Sequence, residues 1–173
     1  MRLGPATADA EVGVSLQGSR GSHVMFKRIL IATDGSRMSR KAIVSGVALA
    51  KSLGASVVGI HSLPPISRSH IYGDSTVTLP EEAYAKLEQD AAAVARKRLA
   101  QIGSEADKAG VPFKAIQVQN ESPAEAILTT AKKEKCDVIV MASHGRKGIA
   151  RVLLGSETNT VVTHSPIPVL VVR

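Results

Sequence analysis

Two stretches of the chain carry residues whose type and spacing suggest a ligand site, and the first suits anion binding. The first is Met141-Ala142-Ser143-His144-Gly145, followed after nine residues by Gly155-Ser156-Glu157. It comes directly after a run of strand-forming residues, Asp137-Val138-Ile139-Val140, and it ends where a new helix begins, at Ser156-Glu157-Thr158. A buried strand opening into a glycine-containing loop and then a helix N-terminus is a phosphate-binding arrangement. Unpaired backbone N–H groups and the positive end of the helix dipole converge there. Glycine lets the backbone turn and approach a ligand closely. The second stretch is Asp34-Gly35-Ser36, which stops another apolar strand.

Several bland readings stand beside these. Asp34 can form an Asx-turn before Gly35. Ser156 is a plausible N-cap whatever it binds. The loop between the glycines holds Ile149, Val152, Leu153 and Leu154, so part of it reads as packed structure. Arg146 and Lys147 meet phosphates or are solvated; the sequence leaves both open. It is not a Walker A loop, since Leu154 precedes Gly155-Ser156 where a lysine would be needed. A hydrolase using His144 lacks triad partners in a recognisable order and a nucleophile elbow. Without a clear base or water-positioning residue, fast nucleotide hydrolysis is not expected.

The elements that must position these residues alternate along the chain. Lys27–Thr33 reads as a first buried strand, and a helix with the stripe Ala42, Ile43, Val47, Ala50 and Leu53 follows, capped by Ser36 or Ser39 and ended by Gly54. Ala55–His61 is a second strand. Residues 63–79 read as an irregular loop, long enough to suggest a lid or a variable insert. A helix then opens at Pro80 as its first residue and runs to about Ala109, with Leu87, Ala91, Val94, Ile102 and Ala106 as core candidates. Pro112–Val118 is the third strand. Ser122-Pro123-Ala124-Glu125 is a helix start with a capping serine, proline at the first position and glutamate at the third. Residues 137–142 form the fourth strand, about 156–164 a short helix, and Pro168–Val172 the last strand. Strands alternating with helices imply βαβ units and a parallel sheet. In such sheets ligands bind beyond the carboxyl ends of the strands, where the strand order reverses.

Composition narrows the possibilities. The chain has 173 residues, 44% hydrophobic and 21% charged, which suits one domain with a real core. Aromatics are 2%, so Val, Ile, Leu and Ala fill it. The single Cys136 excludes an internal disulfide, fits a reducing cytosol and reads as a structural thiol. The net charge of +7 invites a nucleic-acid reading. However, the basic residues, Arg96-Lys97-Arg98 among them, are spread along helices as solvated faces, and two Phe and two Tyr make no stacking platform. No specific nucleic-acid partner is expected. The five His show no close ligand spacing, so no dedicated metal site is expected and any Mg²⁺ would arrive with a nucleotide. No apolar run approaches the roughly 18–20 residues that span a membrane, so no membrane partner is expected either. Residues 1–24 read as an expression-tag leader, with Gly21-Ser22-His23 resembling a vector scar; residues 25–173 are expected to form one domain.

Taken together, Ile29–Ser36, the Ser143-His144-Gly145 and Leu153-Leu154-Gly155-Ser156 pair, and the closing Pro168–Val172 resemble the universal stress protein family over roughly residues 26–173. The resemblance implies a five-stranded parallel α/β fold of strand order 3-2-1-4-5 with helices on both faces, cytoplasmic and often dimeric, with ATP bound by many members. It implies that Asp34 accepts hydrogen bonds from the adenosine part of the ligand. Ala32, Thr33 and Ser62 would lie beside base or sugar, and Met141 would line the pocket. His144 would be structural or ligand-facing. Gly145, Gly155, Ser156 and Thr158 would face the phosphates, with Glu157 contributing backbone. The family's ATP-binding pattern has a glycine where this chain has Ala142. If that position needs a positive φ, ATP binding weakens; if it needs only smallness, binding survives. The apolar last strand would be an exposed edge, which pairing with a second copy would cover, so a homodimer through residues 168–172 is expected. The alternative to an ATP-binding stress sensor is a dimeric protein-interaction module with a vestigial pocket.

Overall fold

The computed structural model of the protein describes residues 26–72, 75–144 and 154–173. The expected leader, and Gly145, Arg146 and Lys147 of the loop, lie outside the described residues. The elements run β1 (Arg28–Ala32), α1 (Arg37–Leu53), β2 (Ser56–Leu63), β3 (Ser69–Tyr72), β4 (Ser75–Thr78), α2 (Glu81–Ala109), β5 (Phe113–Gln119), α3 (Pro123–Lys133), β6 (Val138–Ala142), α4 (Ser156–His164) and β7 (Val169–Val172).

Five strands form one parallel sheet in the order β5-β2-β1-β6-β7. This is the expected 3-2-1-4-5 order once the extra strands β3 and β4 are set aside. Successive residues of a strand point to opposite faces, and that alternation divides the core in two. Ile29 and Ile31 of β1 pack with Ala42, Ile43 and Val47 of α1 and with Leu99, Ile102 and Ala106 of α2. Leu30 and Ala32 face the other way, toward Ala124, Ala126 and Ile127 of α3 and Val161 of α4. Both faces of the central strands are therefore covered, which is why β1 and β6 are apolar at every buried position.

The helix ends follow the sequence closely. Ser36 caps α1, its side chain accepting from Ser39 N, and Gly54 closes it at φ 64°. Ser122 caps α3 by accepting from Glu125 N, with Pro123 at the start. The N–H of Ser122 itself donates to Asn120 Oδ1 at 2.8 Å.

Four expectations are corrected. Residues 63–79 are not wholly irregular: β3 and β4 pair as an antiparallel hairpin, Ser69 opposite Thr78 and Tyr72 opposite Ser75. Pro80 holds the N-cap position of α2 rather than the first helical one. Ser156 begins α4, and Gly155 occupies its N-cap position. Leu87 and Val94 are 45% and 42% exposed. The first half of α2 is exposed or half-buried, and only from Ala95 onward does the helix bury residues. At its start, α2 is tied to the foot of the hairpin by the Arg68–Glu81 ion pair and by Arg68 lying over the Tyr84 ring.

Candidate nucleotide site

The two motifs meet because β1 and β6 are neighbours: Ile31 pairs with Val140, and both strands end at the same edge of the sheet. The order reverses between them, so Thr33-Asp34 and Ser143-His144 emerge side by side at a topological switch point.

The turn after β1 is knit by its own side chains. Thr33 N donates to Ile60 O at 3.0 Å. Thr33 Oγ1 accepts from Gly35 N at 3.2 Å and donates to Ser39 Oγ at 3.1 Å. Asp34 Oδ1 accepts from Ser36 N at 3.0 Å, the Asx-turn expected as the bland reading. Gly35 needs to be glycine twice over: its φ is +77°, and a Cβ there would stand 2.9 Å from Arg98 Nε.

On the other side, Met141 and Ala142 are buried at the end of β6. Ala142 pairs with Val172 in regular register. Lys135 is the only described non-glycine residue with a positive φ, so Ala142 sits in ordinary extended backbone. The φ alternative is thereby decided: this position asks for no left-handed conformation. Gly155 N donates to Ser143 O at 2.9 Å, which draws the start of α4 against the end of β6. Thr158, buried on the first turn, donates its hydroxyl to Ala142 O at 2.9 Å. Thr158 is thus a strut for the loop, and its oxygen retains only acceptor capacity toward a ligand.

At the N-terminus of α4, Gly155 provides no side-chain cap. The first intrahelical bond is Asn159 N to Gly155 O. The N–H groups of Ser156, Glu157 and Thr158 therefore belong to the uncapped first turn, where an anion is favoured. Glu157 would oppose an anion by its charge. Its carboxylate is turned away instead, accepting from Ala124 N at 2.8 Å and capping α3.

Ser62 Oγ, near the end of β2, and His144 Nε2 are buried and have no hydrogen-bond partner among the described residues. The other ring nitrogen of His144 lies 3.1 Å from Ser143 Oγ. Buried polar atoms left unpaired cost free energy, so these two point to a polar ligand at this end of the sheet. Among the described residues, no group of three His, Cys, Asp or Glu could hold a metal, and no helix is long and apolar enough to cross a membrane.

Sequence reasoning missed two residues here. His61 is 3% exposed, with Nδ1 2.6 Å from Thr33 O. Arg98 Nη1 lies 2.8 Å from His61 Nε2. Arg98 had been grouped with solvated helix charges; it is half-buried and reaches over the β1 turn. The signal was present in its spacing, since Arg98 lies one turn from the buried Ala95 and Ile102.

The sequence profile of the universal stress protein family matches residues 25–173. A universal stress protein from Thermus aquaticus is 34% identical over 149 residues, covering 86% of this chain and all of that one. Among solved structures, MJ0577 of Methanocaldococcus jannaschii superposes with a TM-score of 0.66 at 28% identity, covering 86% of this chain and 96% of its own. A universal stress protein solved in complex with cAMP superposes at 0.62 with 25% identity, covering 86% and 98%. With the family profile matching residues 25–173 and the expected strand order present, this chain belongs to the universal stress protein family.

Proposed function

We propose that the protein binds an adenine nucleotide, with ATP as the physiological ligand, in the cleft at the carboxyl ends of β1 and β6. It would serve as a cytoplasmic stress-response sensor or regulatory module rather than as a fast enzyme. The observation that carries this reading is the pair of buried atoms without a partner among the described residues, Ser62 Oγ and His144 Nε2, together with the α4 N-terminus that has no side-chain cap. A nucleotide offers polar base and sugar edges for the former and phosphate for the latter. The related protein solved with cAMP supports the adenine part. Asp34, Ala32, Thr33, Ser62 and Met141 would surround the adenosine; Gly145, Arg146, Gly155, Ser156, Thr158 and the backbone of Glu157 would hold the phosphates, with any Mg²⁺ carried on them. Residues 25–173 would act as one domain, and β7 would pair with β7 of a second copy.

The test is direct. The protein is purified natively and denatured, and the released small molecules are separated by anion exchange with detection at 260 nm. The chain has no Trp and two Tyr, so bound adenine stands out even in the intact spectrum. A near-stoichiometric ATP or ADP peak is expected, and Gly155→Val should abolish it. An empty eluate together with no thermal shift on adding Mg-ATP would overturn the reading. It would favour the second one, a dimeric interaction module with a vestigial pocket, for which the substitution at Ala142 is the motivating feature.

A further inference from the structure

We propose that Arg98 is a positioning residue for the ligand-facing turn 33–35, acting through the buried imidazole of His61. The inference rests on the nucleotide reading for its purpose, though not for its geometry. Thr33 O can only accept, so His61 Nδ1 must carry the proton. Arg98 Nη1 can only donate, so His61 Nε2 must be the bare acceptor. The two contacts together specify one neutral tautomer. A proton on Nε2 would remove the acceptor and put a donor, or a second positive charge, 2.8 Å from the guanidinium.

The chain of contacts runs from α2 through β2 to the backbone of Thr33. Thr33 is also where the turn is knit, since its hydroxyl accepts from Gly35 N. Arg98 grips the same turn a second way. Its Cγ, Cδ and Nε lie 2.9–3.1 Å from the place a Cβ on Gly35 would take, so the aliphatic stem and the head of the side chain cover that glycine. One residue of α2 therefore reaches both ends of the turn that presents Asp34, Gly35 directly and Thr33 through His61. The turn's own hydrogen bonds set its shape; Arg98 and His61 set where it stands relative to the sheet. A helix that is exposed over its first half thus reaches the ligand turn where its buried half begins.

The experiment compares the full-length protein with Arg98→Met, Arg98→Lys and, as a control on the same helix, Lys97→Met. Methionine keeps the apolar stem over Gly35 but cannot donate; lysine can. Three readouts are taken: the ¹⁵N signals of the His61 ring, amide hydrogen exchange, and the dissociation constant for ATP. In the ligand-free wild type, His61 should show a protonated Nδ1 and a bare Nε2, with the Nε2 signal moving in Arg98→Met. Exchange should quicken at Gly35 and Ser36 in that variant while the amides of Val140 and Ile102 keep their wild-type rates. The ATP dissociation constant should rise about tenfold in Arg98→Met, the scale of one lost charge-assisted contact, and fall back part-way in Arg98→Lys. Lys97→Met should match wild type throughout.

A proton on Nε2 in the wild type would overturn the inference. So would exchange in Arg98→Met that is unchanged at Gly35 and Ser36, or that quickens equally everywhere, since the latter is the mark of a purely structural contact. If the wild type binds no nucleotide, the function proposed above fails, and the ring signals and the exchange pattern still decide whether Arg98 holds the turn.

Discussion

Lys135 adopts φ 53°, in the left-handed region, just past the end of α3. An L-residue there carries roughly 1 kcal/mol of strain that glycine avoids. Lys135→Gly should stabilise the protein by a little under that, about 0.5 kcal/mol, because glycine gains entropy in the unfolded chain; a denaturant midpoint measures it. Its neighbour Cys136 is buried, and burial pushes its thiol up to about 11. Alkylation at pH 8 should be very slow in the folded protein and rapid in urea. Glu134 lies on the other side, where the hydrogen bond from Lys114 at 2.7 Å holds its carboxyl below the usual range. A group with a lowered folded value adds stability above its unfolded value of 4.5 and loses it as pH falls through the folded one. Lys114→Met should therefore raise the Glu134 titration midpoint and remove that part of the acid sensitivity. Ala142→Gly addresses the substitution that separates this chain from the family pattern. The extended backbone at Ala142 predicts a loss of stability of about 1 kcal/mol with little change in nucleotide affinity. Single residues were legible in sequence where their chemistry is local, as with Asp34 before Gly35 or Ser122 before Pro123. His61 and Arg98 were not, because their meaning comes from a contact 37 positions apart in the chain.

Elements were read well where burial enforces a period. The four apolar strands and the caps of α1 and α3 follow from patterning and turn chemistry alone. The hairpin was missed although it had a signal: Gly73-Asp74 separates two short runs rich in strand formers, His70-Ile71-Tyr72 and Thr76-Val77-Thr78. Its weakness is polarity, since serine and threonine make up half of β4's neighbourhood and no apolar alternation marks a buried face. The buried half of α2 was legible and the exposed half was misassigned, because Leu87 and Val94 continue the helical stripe into the part of the helix that stays exposed. Amides of residues 84–94 should exchange faster than those of 95–109, following the drop in buried contacts along one helix. At the far edge of the sheet, β7 pairs with β6 alone among the described strands, and Leu170 is 40% exposed. An open apolar edge favours association. Light scattering should give twice the monomer mass, and Leu170→Asp should return it to the monomer; a wild-type mass that stays monomeric at every concentration would refute pairing through this strand.

On the proposed function, the molecule as a whole is an assembly of two half-sites on one sheet. One half is the turn after β1, fixed by Thr33, Ser39, His61 and Arg98. The other is the end of β6 with α4, fixed by Gly155 N on Ser143 O, by Thr158 on Ala142 O and by Glu157 on α3. The β1–β6 ladder joins the two halves. A ligand that touches both would tie the two halves together, and by mass action its binding to the folded state alone must stabilise that state. At a free nucleotide concentration of one hundred times the dissociation constant, the gain is about 2.7 kcal/mol. For a chain of this length that corresponds to a rise in melting temperature of roughly 5–10 °C. The two-half arrangement makes a sharper demand than the size of the shift. AMP, which carries adenosine but a single phosphate, should give a smaller shift than ATP at equal concentration. Inorganic phosphate, which engages only the α4 side, should give less still. Gly155→Val should remove the ATP shift, while Asp34→Ala should bring the ATP response down toward that of phosphate. Equal shifts from ATP and phosphate would show that only the α4 half binds, and the adenosine side assigned to Asp34 and Ser62 would have to be abandoned.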